Sequence, residues 1–262
     1  AVASLNRSFD YYAEVGDVPR AVSVAEYPLP TFAGQRIGVA ELIARALGLV
    51  QPDSHEAGRL LSEYARVLAI EEGNYEDAQS AFGQALVIAW HAQDTSLEMR
   101  TLTHAVYVDS WYLWFEEAIS RASQAIELSG QAGGLRTEAQ LRGLAGLIRS
   151  AVADSEGARY HAAAALEVSE RLRDRTWFLF ALWANESICR LQGHWQSARE
   201  FSDRGLAVAP QEPRLLGFRT LLEYEVGDFA AGESYLETLM EAMRPSSPGP
   251  TVEYQFPTIA IP

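Results

Sequence analysis

Glu72-Gly73-Asn74-Tyr75-Glu76-Asp77-Ala78, continued by Phe82, Ala85 and Leu86, decides the fold, because its shape returns down the chain at a fixed interval. A Gly ends one helix and an aromatic residue opens the next. Small residues at Ala78 and Ala85, with Phe82 between them, let that second helix lie close against a neighbour. Steps of 40 from Tyr75 reach Phe115, Ser155 and Trp195, and a last step of 34 reaches Phe229. The small position takes the same steps through Ala78, Ala118, Ala158, Ala198 and Gly232. This recurrence predicts a helical repeat in which each hairpin buries its apolar face against the next.

Reading outward, Ser54 to Glu72 carries Leu60, Leu61, Tyr64, Val67 and Leu68 at helical spacing, with Asp53 and Glu56 at capping-box distance. Tyr75 to about Ala92 is its partner. Thr95 with Glu98 makes a second capping box for a helix to about Leu113, followed by Phe115 to Leu128. Gly130, Gly133 and Gly134 read as a loop. Thr137 to Ala153, Ser155 to Leu172, Thr176 to Leu191, Trp195 to Val208, Pro213 to Val226 and Asp228 to Met243 continue the alternation, and no period-two strand interrupts it. Upstream, Leu5 to Val15 and a Pro19-led helix through Ala25 read as a degenerate repeat. Pro28 and Pro30 break it, and a further helix spans about Gln35 to Val50.

Downstream, Pro245 to Pro250 reads as a linker and residues 251–262 turn apolar again. The expected organisation is therefore irregular N-terminal helices over 1–52, a repeat array over 53–244, and a Pro-rich linker with an apolar tail over 245–262. The expected fold is an all-α, right-handed superhelical solenoid of about five hairpins. The absence of an initial Met and the apolar end at Ile259-Ala260-Ile261-Pro262 read as a piece of a longer protein.

Composition narrows the function. The 262 residues carry a formal charge of −14, which disfavours a nucleic-acid or anionic-membrane surface. All 21 basic residues are Arg, which removes P-loop nucleotide sites, Schiff-base chemistry and lysine general bases. The single Cys189 cannot form an internal disulfide and no secretory leader is legible, so the expected location is the cytoplasm. No apolar run approaches the roughly 18 residues of a membrane span. His55, His91, His104, His161 and His194 lack metal-ligand spacing, and Cys189 reads as a small helix residue rather than a nucleophile. Neither a catalytic motif nor a cofactor motif is found, so the expectation is a non-enzyme without a cofactor.

Gly-x-aromatic-x-x-Ala-x-x-x-aromatic-x-x-Ala, met by Gly73, Tyr75, Ala78, Phe82 and Ala85, resembles the second half of the tetratricopeptide repeat. Gly193, Trp195 and Ala198, and Gly227 and Phe229, repeat parts of it. The period is mostly 40 rather than 34, Ser155 replaces an aromatic, and Ala122 and Ser202 replace the second bulky residue. Longer helices at that period, and the phrasing of Asp10 to Pro30 and Glu223 to Met243, resemble the sensor arm of large LuxR-type, maltose-activator-like bacterial regulators. In those proteins an ATPase or nucleotide-cyclase module precedes the repeats and a helix-turn-helix follows them. Neither module stands in this sequence. The resemblance implies a sensor module whose first helices line a concave groove for a protein or peptide partner, with possible homo-oligomers. The alternative it implies is a small-molecule inducer site.

Those first helices are rich in rings: Tyr107, Trp111, Tyr112 and Trp114 on one, Trp177, Phe178, Phe180 and Trp183 on another. Phe180, Trp183, Ser187 and Arg190 share one helical face. Rings beside an Arg suit a peptide or planar ligand, and rings between repeats equally suit a core. Four places before each turn stand Ala69, Asp109, Arg149, Cys189 and Glu223; eight before stand Ala65, Ala105, Ala145, Asn185 and Arg219, with Glu186 beside Asn185. One reading is a polar strip along the groove floor in which Arg142, Arg149, Asn185, Glu186 and Arg219 grip a polar ligand or an acidic peptide. The other is a ladder of ion pairs, Asp109 to Arg149 and Glu186 to Arg219. The candidate site residues are Tyr107, Trp111, Arg142, Arg149, Phe180, Trp183, Asn185, Glu186, Arg190 and Arg219.

Overall fold

The computed structural model describes residues 2–27, 38–132 and 134–244. Among these the chain forms thirteen helices and no strand: α1 (Val2–Glu14), α2 (Val18–Ala25), α3 (Val39–Leu47), α4 (His55–Glu72), α5 (Tyr75–Ala92), α6 (Thr95–Trp111), α7 (Phe115–Ala132), α8 (Leu135–Ala151), α9 (Ser155–Leu172), α10 (Arg175–Leu191), α11 (Trp195–Val208), α12 (Pro213–Val226) and α13 (Phe229–Met243). The fold is all-α, built of stacked helical hairpins. The break at Pro28 and Pro30, a start at Gln35, Gly133 and the whole of 245–262 lie outside the described residues. No described helix is long and apolar enough to cross a membrane.

Each hairpin turns through one left-handed residue, and these fall in register: Gly73, Leu113, Ala153, Gly193 and Gly227, with φ of 70°, 63°, 62°, 74° and 89°. Gly16, at 74°, makes the same turn between α1 and α2. The residue after the turn sends its N–H back five residues, as in Trp114 to the Asp109 carbonyl at 2.9 Å and His194 to the Cys189 carbonyl at 2.8 Å, except that Asn74 reaches back six, to Leu68. This closes the end of each first helix. A polar side chain starts the second helices α5, α9 and α13, Asn74 accepting from the Asp77 N–H at 3.2 Å, Asp154 from the Gly157 N–H at 2.9 Å and Asp228 from the Ala231 N–H at 3.2 Å.

Two helix starts differ from the expected capping boxes by one residue. Ser54, not Asp53, caps α4 through the Ala57 N–H at 3.1 Å, and Asp94, not Thr95, caps α6 through the Leu97 N–H at 3.0 Å. Each start offers two adjacent capping side chains, and spacing alone does not choose between them. Gly130 does not open a loop either. It lies inside α7, whose last turn continues to Ala132.

The chain divides into two compact units, residues 1–133 and 134–262. In the first, α1 to α4 close around Phe9, Val22, Leu42, Ile43 and Leu60, so the N-terminal helices share a core with the first regular hairpin. Further along, Ala65, Ala69, Ala78, Phe82, Ala105 and Val108 join α4, α5 and α6. In the second unit Ala158, Ala162 and Ile188 join α9 to α10, and Leu216, Leu239 and Met243 join α12 to α13. The small positions do what their spacing predicts: Ala78, Ala118, Ala158 and Ala198 are all 0% exposed. First helices pack on first helices, α4 on α6, α8 on α10 and α10 on α12, with no comparable packing of α5 on α7 or α9 on α11. Within each unit the first helices therefore form the inner row.

Candidate functional site: the inner row of first helices

In the first unit the inner face is carried by α4 and α6. Arg100, His104, Tyr107 and Trp111 recur at helical spacing on α6, with Arg100 and His104 acting on Glu63 of α4 and Tyr107 on its Arg66. Glu63 pairs with Arg66, and the His104 ring lies with Nε2 3.7 Å from Glu63 and Nδ1 3.2 Å from the Ser62 carbonyl. Burial drives the His104 pKa down to about 4, the Arg66 and Arg100 guanidiniums adding to the shift against the pull of Glu63, so this imidazole is neutral at physiological pH. Tyr107 stacks on Trp111 with ring centres 6.4 Å apart, and Trp111 is 47% exposed. These two candidates stand together on a partly open aromatic ledge.

Beneath it Asp109 is fully buried and fully satisfied. It accepts from the Tyr75 hydroxyl at 3.0 Å, Gln79 Nε2 at 3.1 Å and Arg121 Nη1 at 2.7 Å, while Arg121 also donates to Gln79 Oε1 at 2.7 Å. Burial raises the Asp109 pKa against these bonds, and burial beside Asp109 pushes the Tyr75 phenol up to about 12. Sequence spacing singles out Asp109 and Tyr75 but not Gln79 or Arg121, which reach Asp109 from the neighbouring helices α5 and α7.

In the second unit the charged candidates find partners close by. Arg142 bonds Glu138 at 2.7 Å and Arg149 bonds Asp154 at 2.6 Å. Asn185 is buried and donates to the Ala162 and Ala181 carbonyls, both at 2.8 Å, tying α10 to α9. Arg219 is buried between Glu223 and Asp203 and stacks over the Tyr235 ring at 4.9 Å. Glu223 also takes both arms of Arg199, and these bonds hold its pKa below the usual value although burial pushes the other way. Arg149 thus acts within its own hairpin and Arg219 on its own helix and the preceding hairpin, not as the ladder the spacing suggested.

Phe180, Trp183, Glu186 and Arg190 behave differently. Trp183 lies edge-on to Phe218 of α12 with ring centres 5.5 Å apart and 5.6 Å from Phe180; Arg214 sits 4.9 Å over Trp183, and Arg190 5.6 Å over Phe218. Trp183 Nε1, Glu186 Oε1 and Arg190 Nε are all buried without a hydrogen-bond partner. Glu186 is 0% exposed, and burial drives its pKa to about 8 against the pull of Arg190 and Arg219. Cys189 is half-buried, its thiol pushed up by burial and by Glu186. Arg214 and Phe218 were not singled out from the sequence, although their place on the next first helix marks them as neighbours. No group of three or more His, Cys, Asp or Glu suited to a metal occurs among the described residues.

No protein-family model matches the chain, and neither does any curated protein. Solved structures do. The chain is similar to BtubC from P. vanneervenii (TM-score 0.62, 16% identity, 95% of this chain and 93% of that one) and to PilF from Pseudomonas aeruginosa (0.56, 16%, 97% and 98%). It is also similar to aspartyl phosphate phosphatase F from Bacillus subtilis (0.67, 12%, 97% and 77%). All three are tetratricopeptide-like helical-repeat proteins, and at these identities the likeness carries the fold.

Proposed function

We propose that the chain is a non-enzymatic recognition module that holds a protein or peptide partner against its inner row of first helices. The observation that carries this reading is the cluster of rings and guanidiniums on α10 and α12, where three buried polar atoms lack partners. Trp183 with Arg214 over it, and Phe218 with Arg190 over it, offer stacking and cation–π contact of the kind that suits a peptide. The tetratricopeptide-like fold supports the same use. Within this reading the chain serves as the sensor arm of a cytoplasmic bacterial regulator of the LuxR kind, where occupancy of the groove biases neighbouring modules.

The test is a capture experiment with the full chain and two variants. Trp183→Ala on the inner row is expected to lose a partner that Tyr160→Ala on α9 retains. Equal retention by both contradicts the reading.

A second reading, a small-molecule effector, is favoured by a cleft of about 560 Å³ in the second unit between α11 and α13, lined by Asp203, Leu206, Leu216, Ser234 and Tyr235. The cleft is open to solvent, so a ligand held there keeps part of its surface exposed. A metabolite that raises the melting temperature of the wild type but not of Tyr235→Ala supports it.

A further inference from the structure

Glu186 on α10 is fully buried, yet only its Oε2 has a bond, from the Ser187 hydroxyl at 3.3 Å; Oε1 has none. One helical turn later Arg190 also leaves a buried Nε unmet and directs Nη1 away, to Glu225 on α12. Residues four apart on a helix face each other, and a Glu followed by a cation at that spacing is the favourable order. Here that pair is open. The reason is charge: burial keeps the proton on Glu186 up to about pH 8, and a neutral carboxyl competes poorly with the Glu225 carboxylate for a guanidinium.

The Arg190 side chain is 11% exposed, with its guanidinium over the Phe218 ring, and the Glu225 carboxylate that holds it is 41% exposed. An incoming carboxylate can replace an exposed one at little cost, because both are solvated before the exchange.

We infer that Glu186 and Arg190 form a proton-operated control over the recognition of acidic peptides. With its proton in place Glu186 leaves Arg190 to a partner's carboxylate in exchange for Glu225; when the proton departs to solvent, Arg190 turns in to Glu186 and the face loses that cation. This rests on the inner row being the recognition surface, and names its partner class and its regulation. The charges that act on Glu186 are Arg190 on its own helix and Arg219 and Glu225 on α12. Of the other elements packed on α10, α9 carries Arg159, which acts on Cys189; α11 carries Arg199, held by Glu223; and α8 carries Arg142 and Arg149, held by Glu138 and Asp154. None of these is bonded to Glu186.

The probe is fluorescein-labelled decaglutamate, with decaglutamine as the uncharged control, titrated into the full chain at about pH 6.5 and about pH 9.5, where the probe's carboxylates are ionised throughout. Wild type is expected to bind decaglutamate in preference to decaglutamine, and to lose affinity by about tenfold per pH unit above about 8. Glu186→Gln has no proton to release and is expected to bind equally at both pH values. Arg190→Gln is expected to bind weakly at both, and circular dichroism checks that each variant is folded.

Three results overturn the inference: wild-type binding that is the same at both pH values, a Glu186→Gln variant that keeps the fall, or no preference for decaglutamate. A captured partner that still depends on Trp183 while decaglutamate fails leaves the groove reading standing and removes only the acidic-peptide control.

Discussion

Leu113 holds the same left-handed backbone as Gly73 one repeat before it, with φ of 63° against 70°. A side chain in that region clashes with its own backbone at a cost of roughly 1–2 kcal/mol, which glycine avoids. Leu113 is 69% exposed, so it loses little packing when removed. Leu113→Gly is therefore expected to stabilise the first unit by about 0.5–1 kcal/mol after the greater flexibility of unfolded glycine is subtracted, and Gly73→Ala to destabilise it by about 1 kcal/mol. Denaturant unfolding of both variants checks the pair of signs.

Asp109 gathers Tyr75, Gln79 and Arg121 around one buried carboxylate. Replacing it with Leu leaves Arg121 and the Tyr75 hydroxyl without their partner, at an expected cost of about 3–5 kcal/mol. Asp109→Asn keeps the size and part of the bonding, and is expected to cost less. If urea melts rank the two the other way, the network is not what holds α5, α6 and α7 together.

Gly146 on α8 has room for nothing larger. A methyl group there would stand 3.1 Å from the Ala158 carbonyl oxygen and 3.2 Å from the Ala162 nitrogen, both main-chain atoms of α9. Helix backbones yield little to such contacts, so Gly146→Val is expected to lower stability by about 2–3 kcal/mol by forcing α8 from α9. Gly83, which has no neighbour within 4 Å, supplies the control, and Gly83→Ala is expected to stabilise its helix slightly.

Buried groups give the fold opposed pH dependences. Glu186 has a folded pKa raised from 4.5 to about 8, so its contribution is complete below about pH 4.5, declines as the pH rises, and is gone above about 8. A shift of that size corresponds to about 5 kcal/mol. His104 has a folded pKa lowered from 6.5 to about 4, so its contribution is complete above about pH 6.5 and is lost as the pH falls towards about 4, amounting to about 3 kcal/mol. Glu186→Gln is expected to flatten the alkaline limb of the stability profile, and His104→Gln the acid limb. Thermal melts across pH check each separately.

The hairpin alternation was legible because turns and small residues act locally. Ala78, Ala118, Ala158 and Ala198 announce close helix packing wherever they recur, and the structure buries all four. Partner choice was not legible. Asp109 and Arg149 stand one period apart, but Asp109 bonds Arg121 and Arg149 bonds Asp154. Periodicity says that two residues hold the same place in their repeats; it does not say which long Arg side chain reaches in from another helix. Glu186 reads as polar on an inner face, yet its raised pKa follows from burial, a property of the packed hairpins rather than of spacing.

Recognition on the inner row is tested most directly by photo-cross-linking. A benzophenone amino acid is placed in turn at Trp111 and Trp183 on first helices, and at Tyr160 on a second helix, in cells that make the full protein. The account predicts that the first two positions trap a protein partner and that Tyr160, which is 64% exposed, does not. Cross-links from Tyr160 alone, with both inner positions silent, contradict it.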